Sequence, residues 1–208
     1  MAPDIVATVN GEPVSATELT ARMPEYRAAV VQYFLNNHQA DYTKDFWNTA
    51  YDGKTPSEML IEKAMDDLVR IKLQQILARE NNMLEDISYA AFLEQWQQEN
   101  TRRQTAVNNG QVVYGPVQFS EQMYYRYYLS KLILELKHKL AENGLNVSDN
   151  NLKQYFEEEY DAIGNISFQE QYTYIKDRYI DEQYEKLIDK MKAKAKISIN
   201  YQVFQTLS

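Results

Sequence analysis

Few side chains in this sequence could carry out chemistry. His38 and His138 are its only histidines, and it has no cysteine. The missing thiol excludes disulfides, thiol catalysis and cysteine-ligated zinc. A nucleophile, base and orienter would have to assemble around one of the two histidines. His138 sits between Lys137 and Lys139 and reads as a solvent-facing helix position. His38 follows Asn36-Asn37 at a predicted helix end, where histidine suits the cap region. Glu157, Glu158, Glu159 and Asp161 could in principle hold a hard cation. They lack the alternating ligand spacing of a calcium loop, so they read as a solvated acidic helix end. Neither type of Gly-rich phosphate loop is present. The expectation is a chain with no catalytic residue, no metal and no cofactor.

Tyrosine is the residue type in excess, at 17 of 208. Its ring is apolar and its tip polar, so it tolerates half-buried positions and adhesive surfaces. Tyr124, Tyr125, Tyr127 and Tyr128 crowd one predicted helix. Neighbours in sequence diverge around a helix, so Tyr124 and Tyr125 cannot face the same side. Part of this cluster must be exposed or must meet a second element. With Tyr155 and Tyr160, these four are the candidate peptide-binding residues. Tyrosine and methionine accommodate varied apolar partners without strict shape matching.

The elements that must position these rings are mostly helical. Hydrophobic residues make up 44% and charged residues 25%, which suits a folded globular chain. Six glycines and five prolines are too few for an all-β sandwich with many tight turns. The net charge of -8 disfavours nucleic-acid binding, which needs a basic surface. No apolar run has the length of a membrane span.

Ser15 before Leu19, with Val14 as staple and Glu18 completing a capping box, predicts a helix start. The same device recurs at Ser88, Ser120 and Ser148, and Thr55-Pro56-Ser57-Glu58 is a further start. Apolar residues at helical spacing predict helices over 56–82, 120–142 and 167–194. Leu60, Leu68, Ile71, Ile76, Leu132 and Leu136 lie on their apolar stripes and are the predicted core. Residues 5–9 and 196–204 alternate or are β-branched and read as strands. An isolated strand leaves its backbone unpaired, so the two ends of the chain are expected to meet. Residues 105–118 read as the mobile loop.

The order of these signals resembles a known family. Ile5 through Ser15, with its strand, Asn10-Gly11-Glu12 turn and capped helix, resembles the opening of the SurA and PrsA foldases. Glu58 through Met83 resembles the helix that follows in that family. Gly144 through Phe156 resembles the segment leading into its isomerase domain, and Leu187 through Ile199 its closing helix and strand. In full-length relatives a parvulin isomerase domain stands before that last helix. Here only Asp161 through Ser167 intervene, too few residues for a catalytic domain.

The resemblance implies a mostly α SurA N-terminal-like chaperone domain, with a small β-ribbon joining the N- and C-terminal strands. It implies one domain over 1–208: the N-terminal strand and helices in 1–160, the closing helix and strand in 167–204, and the isomerase insert absent near 161–167. The implied function is ATP-independent, non-enzymatic binding of unfolded or exported polypeptide in the bacterial envelope or at the cell surface. Met1-Ala2-Pro3-Asp4 has no apolar signal core, so an export signal or lipid-anchoring cysteine is expected outside these residues. Two other readings stand beside it. One is a structural or assembly protein serving one dedicated partner, or dimerising by exchange of terminal segments. The other, with the least support, is a prolyl isomerase.

Overall fold

The computed structural model describes residues 5–160 and 167–204, the side chain of Tyr160 excepted. The architecture is mostly helical with one small antiparallel sheet. Strand β1 (Ile5–Val9) turns at Asn10-Gly11 into β2 (Glu12–Ser15). Both turn residues have positive φ, 52° and 90°, the geometry that lets a two-residue hairpin follow strand twist. Strand β3 (Ile197–Ile199) pairs with the other edge of β1, so the ends of the described chain meet as predicted. Asn10 fixes the junction: its N–H donates to the Lys196 carbonyl at 2.9 Å, and its side-chain oxygen accepts from the Lys196 N–H at 2.8 Å.

Two details of the sheet differ from expectation. Strand β2 joins it although it contains Pro13, because β2 lies at an edge, where proline is tolerated. The strand predicted to reach 204 stops at Ile199. Asn200 turns the chain, and Tyr201–Phe204 form a short helical turn.

The helices are α1 (Ala16–Arg22), α2 (Pro24–His38), α3 (Pro56–Glu80), α4 (Tyr89–Asn108), α5 (Glu121–Asn143), α6 (Asp149–Tyr160) and α7 (Phe168–Lys194), then α8 (Tyr201–Phe204). Local chemistry sets their starts. Ser88, Ser120 and Ser167 each accept an N–H from the third residue of α4, α5 and α7. Thr55 and Glu58 make the reciprocal capping box of α3. The box predicted at Ser15 is only half made. Ser15 accepts from the Glu18 N–H, but the Glu18 carboxylate turns inward to Lys72.

Helix α3 is the axis of the molecule. It packs against α1, α2, α5, α7 and β1, and every residue from Ile71 to Ala78 is buried. The predicted core leucines and isoleucines are all buried. One core cluster joins the sheet, α1, α3, α4 and the start of α5. A second joins the end of α3 to α5 and α7, and a third holds Val30, Phe34, Phe46 and Leu60 around α2. The expected isomerase gap near 161–167 lies, apart from Ser167, outside the described residues.

Candidate functional site

Three of the four clustered tyrosines converge on Phe92, and the expectation that Tyr124 and Tyr125 must face different sides fails, because the Phe92 ring sits between them and meets both. Tyr125 is 4% exposed and points into the core, its ring 4.7 Å from Phe92 in a T-shaped contact and 5.0 Å from the Arg22 guanidinium. Burial pushes its phenol well above the ordinary range. Tyr124 is buried between Phe92 and Phe119, with ring separations of 5.8 Å to each. Tyr128 is half-buried, 5.7 Å from Phe92, and bridges two of the core clusters. Tyr127 is 48% exposed, its ring stacked on Phe119 at 5.7 Å. Tyr125 and Tyr128 do share a side of α5, and that side faces Phe92 in the interior. Tyr155 is elsewhere, buried on α6 against Tyr179 of α7. The side chain of Tyr160 lies outside the described residues.

Tyr124, Tyr127 and Tyr128 line one cleft between α4 and α5, with a volume of about 370 Å³. Glu99 and Arg102 on α4, Lys131 on α5 and Leu84 before α4 also line it. The Arg102 hydrogen bond, at 2.7 Å, holds the Glu99 carboxyl below the usual carboxylate range.

Beyond the cleft, the segment joining α4 to α5 is tied down by the interior face of α4. Helix α4 runs to Asn108, past the predicted loop start at 105, and the linking segment is hydrogen-bonded back to it. Arg103 is buried. Its Nη1 donates to the carbonyls of Tyr114 and Pro116, both at 2.9 Å, and its Nε donates to Glu99 at 2.7 Å. The guanidinium lies 4.4 Å from the Phe119 ring centre. Asn100 brackets the Phe119 backbone, accepting its N–H at 2.8 Å and donating to its carbonyl at 3.0 Å. Trp96 donates its indole N–H to the same carbonyl at 2.9 Å.

This scaffold leaves apolar side chains facing outward. Val112 is 80% exposed and Tyr114 88%, with Val117, Met123 and Tyr127 also exposed. Met123 and Tyr127 are one turn apart on α5 and share a face. From Gln104 to Ser120 no side chain is charged, in a chain that is one-quarter charged. An exposed apolar set on one connecting segment and the helix turn after it is a candidate interaction site. Reading the sequence for helical tyrosines missed Val112, Tyr114, Val117 and Met123. The available signal was the uncharged run through a turn-rich segment.

Other polar groups have structural explanations. Lys72 and Glu18 are 1% and 2% exposed and 3.5 Å apart, and Lys72 also donates to the Ile87 carbonyl at 3.1 Å. They tie α1 and α3 to the segment leading into α4. Burial pushes the Glu18 carboxyl up against the opposing pull of Lys72. His38 lies 3.1 Å from Asp52 among the rings of Tyr33, Phe34 and Tyr51, and His138 is exposed. Among the described residues, no three of His, Cys, Asp and Glu are grouped to hold a metal ion, and no helix is long and apolar enough to cross a membrane.

No family model matches the sequence, and no solved structure matches it. The chain is similar to the chaperone for lacto-N-biosidase of Bifidobacterium longum subsp. longum, 26% identical over 145 residues. The match covers 70% of this chain and 52% of that protein, so the chain spans about half the length of the relative. The likeness is to a protein named as a chaperone, and it does not single out the SurA and PrsA type.

Proposed function

We propose that the protein is a non-catalytic, ATP-independent chaperone for one protein client, and that it engages this client through the α4–α5 arm. The carrying observation is the exposed apolar set of Val112, Tyr114, Val117, Met123 and Tyr127 on a hydrogen-bonded scaffold beside the tyrosine-lined cleft. A free apolar surface of this kind costs solubility unless a partner covers it. The relative's name, which specifies one enzyme, supports a dedicated client of similar kind. The extracytoplasmic setting and the organisation of 1–208 as one SurA/PrsA-like domain belong to the same proposal and rest on the resemblance at the chain's ends and middle.

A second reading is a broad holder of extended segments. The cleft favours it, because tyrosine rings and charged side chains of both signs line one space and can meet varied client side chains. Ordering a flexible client offsets much of the apolar gain, so such a holder would bind at about micromolar dissociation constants.

Refolding separates the two. Lacto-N-biosidase and several unrelated enzymes would be diluted from urea with and without the protein, in the absence of nucleotide. Raised recovery of the biosidase alone supports the dedicated reading. Equal recovery of all favours the broad holder. No effect on any of them would sink both, and faster proline isomerisation would overturn the non-catalytic assignment.

A further inference from the structure

We propose that the segment between α4 and α5, residues 109–120, is a pre-shaped prong that enters an uncharged apolar recess on the client, with Arg103 as its positioning residue. This rests on the chaperone reading above and names the chemistry of its contact.

Three observations carry it. The first is shape. Val112 and Tyr114 are the most exposed large apolar side chains of the described residues, so the surface they offer is convex and its complement is concave. The second is charge. No charged side chain occurs from Gln104 to Ser120, so a charged client surface would bury its charges here without a partner, at high cost. The client face is therefore uncharged. The third is pre-organisation. Arg103 is held by Glu99, stacked on Phe119 and forked onto the Tyr114 and Pro116 carbonyls. A loop already ordered in the free protein loses less entropy on docking.

The same residues favour a protein over a bilayer. Asn108, Asn109, Gln111 and Gln118 interleave with the apolar side chains. Their amides need hydrogen-bond partners once buried, which a protein surface supplies and hydrocarbon does not.

The test uses the whole protein, with urea-diluted lacto-N-biosidase as the client probe and its half-maximal rescue concentration as the readout. Val112→Asp and Tyr114→Asp alter solvent-facing positions, so folding should be kept, as checked by the urea midpoint. Each should raise the half-maximal concentration by about tenfold or more, the scale of a central interface residue. Arg103→Lys keeps the charge and loses the fork. It should speed amide exchange over residues 111–118 about tenfold while leaving α3 protected, and should weaken rescue several-fold. Raising salt from about 50 to about 500 mM should change the parent's value less than about twofold, because the prong itself carries no charge.

Parent-like rescue by both aspartate variants would overturn the prong and leave the chaperone reading intact. So would faster loop exchange in Arg103→Lys without weaker rescue, as regards Arg103. Binding of the parent to neutral phosphatidylcholine vesicles, lost in Tyr114→Asp, would overturn the protein partner in favour of a membrane. No rescue of any enzyme by the parent would remove the chaperone reading and this proposal with it.

Discussion

Tyr125 and Tyr127 differ by two positions and by nearly everything physical. Tyr125 touches Arg22, Tyr89 and Phe92 inside the core, while Tyr127 lays its ring on Phe119 at the surface. Their substitutions should divide accordingly. Tyr125→Ala with Tyr128→Ala removes two rings packed on Phe92 and should cost roughly 3–5 kcal/mol or more, the scale of deleting a buried aromatic side chain. Tyr127→Ala should cost less than about 1 kcal/mol, since surface changes are small. Urea unfolding measures both. A double variant as stable as the parent would show that these rings do not hold the core. A marked loss in Tyr127→Ala would make that ring structural rather than a contact for the client. Nothing in the residue type distinguishes the two tyrosines. Each is a tyrosine on a tyrosine-rich helix, and only the position of α4 assigns one to the core.

At the scale of elements, most of what forms locally was legible. The caps at Ser88, Ser120 and Thr55 are read from residues within four positions of each other, and the structure has them. The hairpin turn is similarly local, but its consequence is not. Asn10, in the left-handed region at φ 52°, also receives the Lys196 N–H from the far end of the chain. Asn10→Ala therefore strains the turn and removes that acceptor. It should cost about 1–2 kcal/mol from the left-handed backbone alone. The amide of Lys196 should exchange faster with it. Unchanged protection at Lys196 would mean that β3 is held by β1 without help from the turn. The half-made capping box at Ser15 shows where local reading stops. Glu18 has the right spacing, but Lys72 lies across from it on α3 and takes its carboxylate.

Across the whole molecule, the charges respond to acid in two directions. Burial raises the Glu18 carboxyl above its ordinary 4.5. A raised carboxyl contributes stability that is complete below pH 4.5 and is lost as the pH rises through the folded value. Glu99 and Asp86 run the other way. Arg102 lowers the first, and the Ser88 backbone N–H lowers the second from 3.8. Their contribution is present above pH 4.5 and 3.8 and is lost as the pH falls through their folded values. Urea midpoints of the parent and Glu18→Gln, compared at about pH 4 and pH 7, isolate the first effect. The parent should lose ground relative to Glu18→Gln on going from the lower to the higher pH. A constant difference would mean that Glu18 does not titrate differently in the folded state.

The sequence by itself determined the helical class, the capped starts of α3, α4 and α5, the meeting of the two ends and the buried stripe of α3. Each depends on spacing or capping among near neighbours, or on the need of a strand for a partner. The tertiary structure alone decided which tyrosines face inward, where the Glu18 carboxylate goes, and that Arg103 and Asn100 bond the backbone of Tyr114, Pro116 and Phe119. Those outcomes depend on which element crosses which. The hydrogen-bond partners lie from 11 to 54 residues away along the chain, and no local spacing records them.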